Sequence, residues 1–282
     1  TMLDAVAELF GVRDGKIGNL SAREQTQLAE NIKLIAVGSR PNPNYLIIDH
    51  GEGQTPQQFP NTLVSLSRRN KIRIPFVQGK FNSGGTGVLQ FCGKKNYQLI
   101  ASRRRPGCPV DPTDRTADEW GFTLVRRLRP SLGVRSSVYL YLAPEGKIPS
   151  FTADQIPVLP QLRGSKPAMA YAEGLPYGTC VKLYDYQWRA RTILTTEGRY
   201  EIEKHLLSAC LPIRLVETRD YQNTHYFATT VTGGWVQATD KEETENDSEN
   251  SRLEDNFPAS AKLDLPEIGS LPCEIIVYKG PT

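Results

Sequence analysis

The sequence predicts a layered α/β fold, helices laid against a sheet of mainly antiparallel strands. Three observations carry this. Short apolar, β-branched runs recur between turns rich in Gly, Pro and Asn, the pattern of buried strands. Stretches with helical apolar spacing flank them. The chain has 282 residues, 39% hydrophobic and 9% aromatic, enough to bury a sizeable core in one large or two modest domains.

In chain order, Thr1 to Phe10 has helix-compatible apolar spacing and is stopped by Gly11. Ser21-Ala22-Arg23-Glu24 is an S-x-x-E capping box, so a second helix starts near Ala22 and runs to about Glu30. Ile32 to Val37 and Tyr45 to Ile48 form a hairpin across a polar turn, Gly38 to Asn44. Pro56 to Leu66 reads as a helix, with Pro60 arguing for a break or a late start. Val88 to Cys92 opens another helix. Tyr97 to Arg103, Gly121 to Arg127 and Ser136 to Leu142 are strands; the Gly/Pro turns between them favour antiparallel order. Phe151 to Pro176 is Pro-rich and reads as loop with one short helix. Thr179 to Tyr186 is the last strand of this layer, and Thr195 to Cys210 a helix. Beyond Leu211 the character changes to short strands: Leu211 to Thr218, His225 to Val231, Trp235 to Ala238 and Cys273 to Tyr278. Lys241 to Asn256 is charged and Ser/Asn-rich, a flexible loop. The expected division is a domain over 1–210, then a smaller strand-rich module over 211–282 with a flexible acidic segment at 240–256.

The stretch Asp49 to Gly87 concentrates the chemistry. Asp49 ends an apolar strand and opens Asp49-His50-Gly51-Glu52-Gly53. A carboxylate there needs a donor, because an unpaired buried carboxylate is costly. A second glycine cluster, Gly79-Lys80-Phe81-Asn82-Ser83-Gly84-Gly85-Thr86-Gly87, lets backbone N–H groups converge on an anion without Cβ obstruction. It is not a P-loop: Gly85-Thr86 stands where Lys and then Ser/Thr are required. Lys71, in the polar segment between the clusters, is a candidate phosphate contact or a plain surface lysine. Gly178-Thr179 opens an alternating strand.

D-x-G-x-G at a strand end, Ser-x-x-Asn-Lys (Ser67 to Lys71), Gly-Gly-Thr-Gly (Gly84 to Gly87) and a later Gly-Thr occur in that order. Together they resemble the gyrase, heat-shock chaperone, histidine kinase and MutL (GHKL) ATPase superfamily, in layout its MutL, topoisomerase and MORC members. The resemblance implies a Bergerat-type ATP-binding sandwich with a mixed sheet. It implies that Asp49 accepts from the adenine amino group, that Gly51 and Gly53 let the backbone pass close to the base, and that Thr179 joins the adenine contacts. It makes Gly79, Lys80, Gly84, Gly85, Thr86 and Gly87 part of a lid over the phosphates of ATP bound with Mg²⁺. The family's E-x-x-x-N helix, which supplies the catalytic Glu and holds Mg²⁺, has no match. Gln27 stands where the Glu belongs ahead of Asn31, and Asn31 abuts the next strand, so it reads as a helix end. The expectation is a chain that begins after that helix, or an ATPase relative that binds without hydrolysis. His50 fills an unspecified position and is read as incidental. After the nucleotide domain the family places a transducer, and 211–282 matches in position only.

Net charge is +3, unevenly spread: Asp240 to Asp255 carries −6, leaving +9 elsewhere. Basic clusters lie at Arg68 to Arg73, Lys94-Lys95, Arg103 to Arg105 and Arg126 to Arg129. They suit nucleic acid, a bound triphosphate or plain solvation equally. Five dispersed cysteines without C-x-x-C spacing argue against zinc and a disulfide framework and fit a reducing cytoplasm, or a nucleus in a eukaryote. Three scattered histidines make no metal motif, and no apolar run has the length of a membrane span. The leading expectation is an ATP-driven switch, acting in DNA-linked or defence work and with an ATP-dependent homodimer as one output. The alternatives are a nucleotide sensor or scaffold that does not hydrolyse, and an ATP-independent nucleic-acid binder.

Overall fold

The computed structural model describes residues 2–66, 84–133, 135–160, 171–187, 193–219, 228–234, 236, 254–257, 259–267, 269–275 and 277. Helix α1 (Met2–Phe10) ends at Gly11, whose φ of 69° only glycine adopts freely. Helix α2 (Ala22–Ala29) starts on the expected capping box: the Ser21 hydroxyl accepts from the Glu24 N–H, and the Glu24 carboxylate accepts from the Ser21 N–H at 2.8 Å. Strands β1 (Ile32–Gly38) and β2 (Pro43–Asp49) form the expected hairpin, with Ile32 opposite Asp49.

The segment expected to be helical from Pro56 folds instead as a six-residue 3-10 turn, Pro56–Asn61. Pro60 has no N–H to give an α-helical ladder, and the shorter turn tolerates that. Helix α3 (Gly84–Gly87) is a single turn, and Val88–Phe91 continues it as a 3-10 turn. Helical geometry therefore begins on the glycines themselves, four residues before the expected start at Val88. Strands β3 (Tyr97–Arg103), β4 (Trp120–Leu128) and β5 (Val138–Tyr141) follow, then β6 (Ser150–Phe151). Strands β7 (Ile156–Pro160) and β8 (Tyr171–Leu175) form a hairpin where the sequence suggested loop and a short helix. Strand β9 (Gly178–Leu183) precedes a wide π turn, Leu194–Gly198, that runs into α4 (Arg199–His205). Strands β10 (Ile213–Glu217), β11 (Ala228–Val231), β12 (Ala259–Leu265) and β13 (Gly269–Ile275) complete the described elements.

The main sheet runs β11-β10-β1-β2-β9-β3-β4-β5, with β6 paired to the start of β4. Its neighbours are antiparallel except β1 and β10, which are parallel, so the sheet is mixed. Two expectations change here. The strand opened by Gly178-Thr179 lies centrally, between β2 and β3, and is not the last of its layer along the chain. Strands β10 and β11, assigned by the sequence to a separate module after residue 210, extend the main sheet. Strands β12 and β13 pair with each other. Of the strand expected at 235–238 only Val236 is described, buried and in helical geometry; nearly all of the acidic segment lies outside the described residues.

Alternation along the strands gives the sheet two apolar faces. One buries Ala36, Tyr45, Ile100, Val125, Leu183 and Leu215 against Phe59, Leu89 and Leu194 from the helical segments. The other buries Ile35, Leu46, Ile48, Ala101, Trp120, Cys180 and Val216 against Val158 and Leu175 of the β7–β8 hairpin. Lys33, nearly fully buried, pins that hairpin by pairing with Glu173 on β8 and, at 2.8 Å, with Glu30. Among the described residues no helix is long and apolar enough to cross a membrane.

Candidate functional site

The register of β1, β2, β9 and β3 places the sequence-predicted residues at one end of the sheet. Ile32, Asp49, Thr179 and Ser102 form one row across four strands on the helical face. The next row inward is Leu34, Ile47, Val181 and Ile100. Ile47 is 41% exposed although it lies on a central strand. A central aliphatic side chain left this open is an uncovered spot on the helical face, flanked by the half-buried Leu34 and Val181, which pack on the core, and next to the row of Asp49 and Thr179.

Asp49 finds its donor in the Gly51 N–H, which reaches Oδ1 at 2.9 Å. Burial pushes the Asp49 carboxyl up from its ordinary range, against the pull of that N–H and of His50. A Cβ at Gly51 would stand 2.7 Å from the same Oδ1, so a larger residue there would displace the carboxylate from this position. Gly53 has φ 64° and a Cβ there would collide with the Arg103 carbonyl, while Gly178 has φ 105° and a Cβ there would collide with the Asp49 carbonyl. The motif glycines thus let three backbone segments cross at the strand ends. That close approach is between chain and chain, a different physical reason from the approach to a base that the resemblance implies.

Ser102 organises this crossing, and sequence reasoning missed it. Its hydroxyl donates to the Gly178 carbonyl at 2.8 Å, accepts from the Gln54 N–H at 2.9 Å and lies 3.1 Å from the Thr179 hydroxyl. With the Ser102 proton given to Gly178, Thr179 donates to Ser102 and keeps only lone pairs for anything else. The local signal was faint: a serine ending an apolar strand ahead of three arginines. Asp114 also anchors the loop, accepting from the Thr55 hydroxyl and from the Thr116 N–H and hydroxyl. Burial would raise its pKa, but these hydrogen bonds bring it below the usual range.

The arginine cluster after Ser102 is committed to structure. Arg103 donates to the carbonyls of Ala153, Asp154 and Pro176. Arg104 pairs with Glu52 at 2.9 Å and donates to the Gly53 and Pro109 carbonyls, and Arg105 lies over the Tyr177 ring. His50 contacts the Glu30 carbonyl and the edge of Tyr177. Asn31 closes α2, its amide donating to the Leu28 carbonyl at 2.9 Å while its own carbonyl accepts from the His50 N–H.

Gly84, Gly85 and Gly87 face open space: a Cβ added at any of them would meet nothing within 4 Å, and none has positive φ. Neither packing nor backbone conformation requires glycine there. Thr86 is half-buried between them. Lys71, Gly79 and Lys80 lie outside the described residues. The structure therefore brings Asp49, Gly51, Gly53 and Thr179 together. No family model matches the chain, and no curated protein matches it. Among the described residues no three His, Cys, Asp or Glu side chains are grouped as a metal site.

Proposed function

We propose that the Asp49 end of the sheet binds the adenine of ATP. The observation that carries this reading is the row of Asp49 and Thr179 in register beside Ile47, an aliphatic side chain left exposed on a central strand. A flat heterocycle needs an apolar surface for its faces and polar partners at its edge. Asp49 as carboxylate and Thr179 with its proton committed to Ser102 are both acceptors, so they select an edge that offers donors. The exocyclic amine of adenine is such an edge. A carbonyl in its place would meet two acceptors.

On this reading the loop from Gly79 to Gly87, with Lys80 and Lys71, follows the phosphates, and Mg²⁺ accompanies them. The open surroundings of Gly84, Gly85 and Gly87 fit a segment whose partner is a ligand. ATP then works as a switch, with homodimerisation or DNA-linked or defence-related action as its output. Asn31 serves as a helix-closing turn residue and is not assigned to Mg²⁺. Phosphate release, assayed beside binding, separates a sensor from an ATPase.

Calorimetry with ATP and ADP in Mg²⁺ tests the site, on this chain and on Asp49→Asn. The parent should bind, and the variant should bind more weakly by about 1.5–3 kcal/mol, the worth of a charge-assisted bond. A parent chain that binds neither nucleotide, or a variant that binds as well as the parent, defeats the assignment.

A further inference from the structure

Strands β9, β3, β4 and β5 turn their other face, opposite Asp49 and Thr179, away from the helical layer. The β7–β8 hairpin covers only part of it. Beside the hairpin an open groove of about 480 Å³ runs over Leu99, Phe122, Phe151 and Lys182. Beyond it the face continues through Leu124, 40% exposed, to Leu140 on edge strand β5, 50% exposed. A solvent-facing side of an antiparallel sheet is ordinarily polar; this one is apolar and aromatic.

Its aromatics and charges are arranged together. Tyr97 and Tyr184 stack at 4.8 Å between centroids with their planes tilted by 36°, and Lys182 Nζ lies 5.1 Å from the Tyr184 ring. Phe122 and Phe151 form a second pair at 5.9 Å. Arg126, directly opposite Tyr97 in register, is exposed. Among the described residues, no position of β9, β3, β4 or β5 on this face holds Asp or Glu. At the Tyr97 end Asp185 is outnumbered by Lys94 and Lys95, so the face pairs flat apolar surface with net positive charge and its complement is an anion that carries π-faces. A purely apolar partner would leave Lys182 and Arg126 unmatched, and a simple polyanion would leave the rings unused.

We propose that this face of β9, β3, β4 and β5 binds single-stranded nucleic acid, bases against the Tyr97–Tyr184 and Phe122–Phe151 pairs and phosphates at Lys182 and Arg126. Such stacking tolerates any base, so the site discriminates strandedness more than sequence. It lies on the side of the sheet away from the Asp49 site and stands independently of the nucleotide reading.

Fluorescence anisotropy of a labelled thymidine oligonucleotide of about a dozen residues, titrated with the full chain, tests this. Tyr184→Ala or Tyr97→Ala should weaken binding roughly tenfold or more through lost stacking. Lys182→Gln with Arg126→Gln should weaken it and flatten the dependence of log affinity on log salt by about 1.4, two phosphate contacts on a single strand. Asp49→Asn should leave it unchanged, and thermal melts of each variant report on folding. No binding at low salt overturns the proposal. So does binding that these substitutions leave intact, or that heparin matches with equal loss on Tyr184→Ala. Concentration-dependent dimers that the substitutions abolish, without oligonucleotide binding, would assign the face to a second copy and overturn it too.

Discussion

At the scale of the residue, Asp49 is the most informative group in the chain, because its position works against its charge. Burial raises its folded-state pKa above the unfolded value. The sign follows. Below the unfolded pKa both states are protonated and nothing is lost. As pH rises through the folded pKa, the folded state must ionise a desolvated group, and stability falls. Asn keeps an oxygen for the Gly51 N–H and carries no charge. Asp49→Asn should therefore melt at the same or a higher temperature than the parent at pH 7, with any advantage shrinking as pH is lowered to about 3–4. Thermal melts of both chains across that range decide it. A variant less stable than the parent at pH 7, with the gap closing in acid, would mean that the carboxylate stabilises the fold. On the expected outcome, the same substitution that weakens nucleotide binding leaves the fold intact, the signature of a residue kept for a ligand.

At the scale of the element, the clearest feature is the anchor of α4. Glu217 ends β10 fully buried, and its carboxylate accepts from Arg219 Nε at 2.8 Å, Arg219 Nη2 at 2.7 Å and the Leu194 N–H at 2.9 Å. It thereby ties the turn that opens α4 to the sheet, while Arg219 lies over the Tyr45 ring. Glu217→Ala removes the carboxylate that pairs a buried guanidinium and accepts from a buried N–H, and should cost about 3–5 kcal/mol in urea unfolding. Replacing both partners by apolar residues, Glu217→Met with Arg219→Leu, should cost much less. Equal losses in the single and the double variant would count against an ion pair at this position. Nothing local in Leu215-Val216-Glu217 announces the pair; only folding places Leu194 beside it. By contrast, β3 was legible to the residue, since Tyr97 to Arg103 alternates between two buried faces and is closed by turns. The β7–β8 hairpin was not: Pro157 and Pro160 break the strand signal, and prolines are tolerated there because the hairpin is a two-stranded ribbon with free edges. The glycines of α3 carry no periodicity, so its start could not be read. Of the site, the motifs gave Asp49, Gly51, Gly53 and Thr179. Ser102 emerged only from the register of β3 against β9.

At the scale of the whole molecule, sequence reading failed where pairing is long-range. A boundary after residue 210 looked natural because a helix ends there and short strands follow. Yet β10 lies parallel to β1, with Leu34 opposite Leu215 and Ile35 opposite Val216, residues far apart along the chain. Leu215 and Val231 complete one core, and Val216 completes the other. A chain ending at residue 210 would expose the β1 edge, remove apolar residues from both cores and free α4 from Glu217. Each loss falls among the large destabilising mechanisms, and a domain of this size has only about 5–15 kcal/mol to lose. The prediction is that residues 1–210 alone fail to give a cooperative melt by circular dichroism, whereas the full chain gives one. A sharp transition in 1–210 at a temperature near that of the full chain would restore the boundary after 210 and reduce β10 and β11 to an appended ribbon. A failed melt would instead make the nucleotide end and the C-terminal strands parts of one sheet. Asp49 and Leu215 would then share a folding unit, with β2 and β10 flanking β1 on either side, and a ligand at Asp49 could reach the strands that follow 210 through β1 alone.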